Sequence, residues 1–174
     1  PRQVVLATLT CCRPKREYYC DFCFRRQHDT ILVVPDRHRR RSCESSFLLT
    51  SIDLIPWINR ENRDRVRDFI NTSKSNICFG HLELYGYYMH PGMKCEAGLD
   101  PKEFERYSKV FTGHFHTQSK SKNIHYLGTA YQITFGDWGE EKGFWIFDTE
   151  TLDVEFVPNP HEIFHKIVYN NGPT

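Results

Sequence analysis

The stretch Lys109-Val110-Phe111-Thr112-Gly113-His114-Phe115-His116 joins a short apolar run to two histidines that are one residue apart. The run predicts a buried strand, and Gly113 marks its end. Because residues i and i+2 of an extended backbone point the same way, both imidazoles can reach one point. Neutral imidazole is a common ligand of transition metals. The stretch therefore predicts a metal site at a strand end, and the alternative is a set of hydrogen-bonded structural histidines.

A second glycine-histidine pair, Gly80-His81, follows another apolar run at residues 77–79. Its recurrence in the same setting favours the metal site over the structural alternative. The surrounding sequence alternates between strand and helix patterns. In order, we predict a strand at 52–55, a helix at 61–73, a strand at 76–79, a helix from 100 to about 107 and a strand at 109–112. This alternation predicts an α/β fold with ligand candidates at the carboxyl ends of the strands, where open α/β sheets bind their ligands.

Local signals support the second helix and a β-rich end of the chain. Asp100 suits a helix N-cap, Pro101 suits the first turn, and Glu103 can complete a capping box. Further strands are predicted at 124–127, 143–147 and 154–157, with a turn at 148–151 between the last two.

Composition points to a globular domain. The length of 174 residues and the hydrophobic content of 39% allow a substantial core and argue against disorder. The sequence has no apolar run near the ~20 residues of a membrane helix, and it has no signal-peptide pattern. We therefore expect a cytoplasmic protein without a membrane partner. The first residue is Pro1 rather than Met, so we expect a fragment that is truncated at its N-terminus.

The first part of the chain differs from the rest in charge and in cysteine content. Residues 1–48 carry a net charge of +5 and the remainder carries −4, and most of the cysteines lie in the first part. We predict that residues 1–45 form a separate, atypical basic and Cys-rich segment, in which only residues 30–34 resemble a strand. The basic run at 37–41 suits either a nucleic-acid contact or a solvated surface, and the solvated surface is favoured.

A zinc module is an alternative function for this basic segment. Cys20-Asp21-Phe22-Cys23 has the spacing of a zinc-ligand pair, with His28, His38 and Cys43 downstream. Such a module would bind nucleic acid. The signal is weak, because no second Cys-x-x-Cys pair and no His-x₃-His pair follows.

The segment from Ile52 to Pro160 resembles one protein family closely. The matching motifs, in the family's order, are Asp53-Leu54-Ile55-Pro56-Trp57, Gly80-His81-Leu82-Glu83-Leu84, Gly92-Met93-Lys94, Phe111-Thr112-Gly113-His114-Phe115-His116 and Phe144-Trp145-Ile146-Phe147-Asp148-Thr149-Glu150-Thr151. On these motifs the chain resembles the nuclease subunit of SbcCD-type recombination nucleases, in the phage-type recombination endonuclease branch. That family belongs to the calcineurin-like metallophosphoesterases.

The resemblance implies a fold and a chemistry. Residues 46–160 would be the C-terminal half of a four-layer α/β metallophosphoesterase sandwich, with mixed sheets flanked by helices. Residues 161–174 would begin a linker to a cap domain. The implied activity is hydrolysis of DNA phosphodiesters with two divalent metal ions, usually Mn²⁺. By the same resemblance, His81 and His114 would bind one ion and His116 would bind the other.

The resemblance also implies partners. The nuclease would act on DNA in recombination and repair together with a coiled-coil ATPase subunit. A homodimer of the full-length form is a further expectation. If the chain is phage-encoded, it would work in the host cytoplasm.

Several motifs of the family are missing from this chain. The ordered series of Asp-x-His, Gly-Asp and Gly-Asn-His-Asp, which supplies the other ligands and a histidine that assists the leaving group, does not occur before Asp53. A reading-frame shift near residue 45 is one hypothesis for this, motivated by the abrupt rise in Arg and Cys. The catalytic residues are therefore unknown, and we expect the chain to be an incomplete and inactive fragment. A phosphoesterase acting on small phosphate esters is an alternative that the matches outside the ligands disfavour.

Other prominent residues receive structural assignments. His125 is expected on the surface of a strand, and Cys78 is expected to behave as a small apolar residue. Glu83 is expected either to orient His81 or to be an exposed charge. Core or hairpin packing is expected for Trp57, Trp138 and Trp145.

Overall fold

The computed structural model describes residues 3–10, 29–35, 52–149 and 151–169. In chain order the strands are β1 (Gln3–Thr10), β2 (Asp29–Pro35), β3 (Ile52–Ile55), β4 (Ile77–Gly80), β5 (Tyr88–His90), β6 (Met93–Lys94), β7 (Lys109–Thr112), β8 (Ser119–Ser121), β9 (Ile124–Tyr126), β10 (Gly143–Asp148) and β11 (Val154–Pro158). The described part also contains one α-helix, α1 (Arg63–Thr72), and short 3-10 helices at Pro101–Phe104 and Phe135–Asp137.

The candidate histidines follow two strands of a five-stranded sheet with the order β3-β4-β7-β9-β8. The first four strands run parallel, and β8 is antiparallel to β9. The pairing of β4 with β7 places Gly80 opposite Thr112, and the amide of Gly113 donates to the carbonyl of Gly80 at 3.2 Å. The strands predicted at 52–55, 76–79, 109–112 and 124–127 are therefore confirmed, and the carboxyl ends of β4 and β7 lie side by side.

The helix α1 connects β3 to β4 and covers one face of this sheet. Val66 and Ile70 point into the core, whereas Phe69 remains 46% exposed. The guanidinium of Arg67 donates to both carboxylate oxygens of Glu103, at 2.8 and 2.9 Å, which ties the helix to the 3-10 helix at Pro101–Phe104. The helix predicted at 61–73 is confirmed with slightly shorter ends.

The helix predicted from Asp100 to about Tyr107 is wrong in type and length. Asp100 does cap the segment by accepting from the amide of Lys102 at 2.9 Å, but only a 3-10 helix follows. Phe104 and Tyr107 are both buried, and the amide of Tyr107 donates to the carbonyl of Phe104 at 3.2 Å in the turn that follows the 3-10 helix. The side chain of Asn123 donates to the carbonyls of both residues, at 2.9 and 2.7 Å. The carbonyl of Tyr107 is therefore satisfied by a side chain that lies just before β9 rather than by a further helical turn.

A second sheet has the order β11-β10-β1-β2, and all its pairs are antiparallel. The predicted strands at 143–147 and 154–157 are confirmed, and Asp148 supports the turn between them by accepting from the amide of Thr151 at 3.1 Å. The strand predicted at 30–34 is confirmed as β2. β1 was not predicted, although its run of Val, Leu and Thr suits a strand.

Two clusters of buried side chains hold these layers together. One cluster lies between α1 and the five-stranded sheet and includes Cys78 and Val110. The other lies between the two sheets and includes Phe79, Phe111 and Phe147. The alternation along β4 and β7 follows from the pleat, which points successive side chains to opposite faces. The α/β class is confirmed by this mixed arrangement.

The finer structural expectations stay predictions. They are the four-layer sandwich and the boundaries at residues 45 and 160. Among the described residues, no helix combines the length and the apolar character that crossing a membrane requires.

We expect Phe111→Ala to lower the free energy of unfolding by about 3–5 kcal/mol, because the ring is fully buried against Phe79 and Phe147. Phe69→Ala removes the same side chain from a half-exposed position on α1 and should cost about 1 kcal/mol or less. Urea denaturation followed by circular dichroism measures both values. Equal losses for the two variants would contradict the placement of the inter-sheet core.

Candidate metal centre

His81 and His114 meet at the carboxyl ends of β4 and β7. Nε2 of His81 lies 3.1 Å from Nδ1 of His114, and both side chains are partly exposed. Two nitrogens that each lie about 2.0–2.1 Å from one ion are themselves roughly 3 Å apart, so the pair fits as two ligands of a single metal. The same separation also suits a hydrogen bond between the rings. The parallel pairing of the strands produces this meeting, as the strand-end argument predicts.

Trp57 covers the histidine pair from one side. The centre of its ring system lies 4.7 Å from that of His114 and 5.4 Å from that of His81. Its carbonyl accepts from the side chain of Asn62 at 2.8 Å, which fixes the loop before α1. The expectation of core or hairpin packing is wrong for Trp57. A sequence signal existed, because Trp57 follows β3 just as the histidines follow β4 and β7.

The backbone of His114 is strained. Its φ of 83° lies in the left-handed region, which non-glycine residues seldom adopt and which costs of order 1–3 kcal/mol. Beside it, the buried hydroxyl of Thr112 accepts from the amide of Leu82 at 2.9 Å and so ties the two loops together. The extended backbone assumed for His114 and His116 therefore does not hold. The turn at His114 points the two imidazoles to different neighbours.

His116 contacts an acidic group instead of the histidine pair. Its Nδ1 lies 3.6 Å from Oδ1 of Asp137, and its side chain is 23% exposed. Among the described residues, no three His, Cys, Asp or Glu side chains are grouped so that they could hold one metal ion. The structure thus brings His81 and His114 together and places His116 in a separate environment. The ligand roles of all three histidines stay predictions.

A buried charge cluster supports the loop that carries His116. The ammonium of Lys142 donates to Oδ1 of Asp137 at 3.0 Å, to Oε2 of Glu140 at 2.6 Å and to the carbonyl of His116 at 2.9 Å. Asp137 and Lys142 are 1% and 4% exposed. The sequence analysis missed this cluster. A usable signal was the clustering of Asp, Glu and Lys directly before an apolar strand.

Asp137 is held as an anion. Burial opposes its ionisation, but the amide hydrogens of Thr134 and Ile133 and the ammonium of Lys142 together outweigh this and lower the pKa of Asp137 to about 2. Its Oδ2 accepts from the amides of Ile133 and Thr134 at 2.9 and 2.8 Å. The carboxylate is therefore fixed in orientation as well as in charge.

The remaining sequence assignments have mixed outcomes. His125 is buried rather than on the surface. Its burial, and to a lesser extent the positive charges of Lys120 and Lys109, lowers its pKa to about 4. Cys78 is fully buried as expected, and this burial raises the pKa of its thiol. The carboxylate of Glu83 lies 3.8 Å from the sulfur of Cys95, a contact that neither expectation foresaw.

The expectation of core or hairpin packing holds for one of the other two tryptophans and fails for the other. Trp145 packs on Phe156 within the β10–β11 hairpin, as expected, at a ring distance of 4.8 Å. Trp138 is 42% exposed and stacks on Phe135 outside the hairpin, so the expectation of core or hairpin packing is wrong for it. The proposed zinc ligands Cys20, Cys23, His28, His38 and Cys43, like the basic run at 37–41, lie outside the described residues.

The chain thus has an α/β fold with a histidine pair at the carboxyl ends of adjacent parallel strands. It is 45% identical over 118 residues to exonuclease subunit 1 of Enterobacteria phage T4. The match covers 68% of this chain and 34% of that protein, so the chain spans about a third of the relative's length. No protein-family model matches the chain. The similarity supports the predicted relationship to phage nuclease subunits, while membership of the metallophosphoesterases stays a prediction.

We expect His114→Gly to be more stable than His114→Ala by about 1 kcal/mol, because glycine adopts a positive φ without strain. His116 has no positive φ and serves as the matched position. There, the Gly variant should be less stable than the Ala variant by about 0.4–1 kcal/mol. Urea denaturation of the four variants tests this, and the same order at both positions would contradict the strain at His114.

We expect the stabilisation by Asp137 to disappear in acid. Its pKa in the folded protein is about 2, below the usual 3.8, so its contribution is present above pH 4 and is lost as the pH falls towards 2. The difference in unfolding free energy between the native protein and Asp137→Asn should be on the order of 2 kcal/mol at pH 7 and should narrow between pH 4 and pH 2. Urea titrations at several pH values measure it. A difference that stays constant with pH would contradict an ionised, stabilising Asp137.

Proposed function

We propose that the chain is part of a metal-dependent DNA nuclease subunit that hydrolyses phosphodiester bonds in recombination and repair. The carrying observation is the His81–His114 pair at the carboxyl ends of β4 and β7, within a chain similar to an exonuclease subunit. In this proposal the subunit works with a coiled-coil ATPase. A phage-encoded protein of this kind would act in the host cytoplasm.

His81 and His114 are the residues that would hold one metal ion. Their facing nitrogens, Nε2 and Nδ1, have the separation that a shared ion needs, and the neutral imidazoles would donate their lone pairs to it. His116 would serve a second ion. Bound ions of this kind, Mn²⁺ in this proposal, lower the pKa of bound water and offset the charge on the attacking and leaving oxygens.

The chain's other residues would organise this site. Trp57 closes one side of the histidine pair with apolar surface and so limits the rotation of both rings. The bond from the Leu82 amide to Thr112 holds the two ligand loops in register. The lysine-centred cluster around Lys142 holds the backbone of His116. These contacts position the histidines before any substrate binds.

We propose that the 174-residue chain alone has little or no nuclease activity. The three histidines are fewer than half of the ligands that the family resemblance implies for a two-metal centre. The described part of the chain also shows no group of three ligands around one point.

A chimera tests the proposed function. The 118 matched residues of phage T4 exonuclease subunit 1 would be replaced by the corresponding residues of this chain. We expect the chimera to degrade DNA in the presence of Mn²⁺, and His114→Ala within it to lower the rate at least about 100-fold. The matched control is His90→Ala, which removes an exposed histidine in β5 and should leave the rate unchanged.

Two results would contradict the proposal. One is a chimera that has native circular dichroism but no cleavage activity. The other is an active chimera in which His81→Ala and His114→Ala both keep full activity. Strong Mn²⁺-dependent cleavage by the isolated 174-residue chain would overturn only the proposed inactivity of that chain.

A further inference from the structure

His116 has one nitrogen that is shut off from solvent. Its Nδ1 is buried and has no hydrogen-bond partner among the described residues, although the side chain as a whole is 23% exposed. The charged atom that faces this nitrogen is Oδ1 of Asp137, at 3.6 Å. That separation is longer than a hydrogen bond, so the contact is electrostatic, and a small ring rotation would close it.

The carboxylate that faces Nδ1 cannot turn away. Its second oxygen accepts from the amides of Ile133 and Thr134, and its first accepts from Lys142. Of the groups in this cluster, Asp137 and Glu140 each carry a negative charge and Lys142 carries a positive one. The cluster therefore presents a net charge of −1 to the imidazole of His116.

The same lysine fixes the distance between the two groups. Nζ of Lys142 bonds to the carbonyl of His116 as well as to Asp137. The hydroxyl of Thr117, the next residue, donates to Oε1 of Glu140 at 2.8 Å, and the other oxygen of Glu140 accepts from Lys142. The backbone of His116 and the carboxylate of Asp137 are thus parts of one hydrogen-bonded unit.

We propose that Asp137 is a positioning residue that selects the Nδ1–H tautomer of His116 and leaves Nε2 as the electron-pair donor. A lone pair on Nδ1 would face a fixed anion in a buried setting, whereas an N–H there is attracted to it. Free histidine prefers the opposite, Nε2–H form, so the selection has a detectable signature. The tautomer follows from the geometry alone, and only the use of Nε2 as a metal ligand rests on the proposed function.

The experiment is a long-range ¹H–¹⁵N correlation spectrum of the metal-free chain at a pH of about 8, where exposed imidazoles are neutral. His116→Gln identifies the signals of His116. We expect the Nδ1–H pattern for His116 in the native sequence. Asp137→Asn should shift His116 towards the Nε2–H form, because the substitution removes the negative charge that faces Nδ1.

Glu140→Gln is the matched control. It removes one negative charge from the same lysine but leaves Asp137 facing His116, so the Nδ1–H pattern should persist. An Nε2–H pattern in the native sequence overturns the proposal, and so does an unchanged tautomer in folded Asp137→Asn. If Asp137→Asn does not fold, the spectrum of the native sequence decides alone.

A second measurement separates this inference from the proposed function. In the chimera, Asp137→Asn should raise the Mn²⁺ concentration for half-maximal cleavage about 10–100-fold. An Nδ1–H pattern in the chain together with an inactive chimera would support the positioning role and contradict the nuclease function. An Nε2–H pattern together with an active chimera would contradict the positioning role and support the nuclease function.

Discussion

The candidate site depends on the parallel pairing of β4 with β7. Gly80 stands opposite Thr112, so both strands leave the sheet at the same level and their next residues are neighbours. The positive φ of His114 then turns its ring towards His81. The bond from the amide of Leu82 to Thr112 closes the two loops on each other. Shifting this register by one residue would separate the histidines, whatever chemistry they serve.

A second constraint comes from the other sheet. Lys142 directly precedes β10, and its ammonium reaches the carbonyl of His116 on the loop after β7. A buried ammonium is stable only when its partners are well placed, unlike the exposed pair of Lys122 with Glu105, which contributes little. The position of β10 is therefore coupled to the loop that carries His116. Residues next to both sheets therefore contribute to the site: His116 follows β7 of the first sheet, and Lys142 precedes β10 of the second.

The fold could be predicted from the sequence where the signal is local. Buried parallel strands appear as short apolar runs, so β3, β4 and β7 were found, and the rule for strand ends placed His81 near His114. The predictions that failed concern segments whose hydrogen-bond partners lie far away in the sequence. Asn123 satisfies the carbonyls of Phe104 and Tyr107 from another part of the chain, and this ends what the local pattern presents as a longer helix.

The same limit applies to the site. Asp137 and Lys142 carry no motif of their own, and their importance depends on where the loop after β7 passes. The strand β1 was missed because the charge and cysteine content of its segment outweighed its local β-forming pattern. The partition of His114 and His116 between two environments depends on one backbone torsion, which the residue types do not reveal.

The position of Trp57 gives the site an intrinsic optical signal. An excited indole in contact with an imidazole is quenched by electron transfer when the imidazole is protonated, and a bound transition-metal ion also quenches it. Trp57 touches both members of the histidine pair, whereas Trp145 packs against Phe156 and Trp138 stacks on Phe135. The emission of this one residue would therefore respond to protonation of the pair, or to any ion bound there, without any added label.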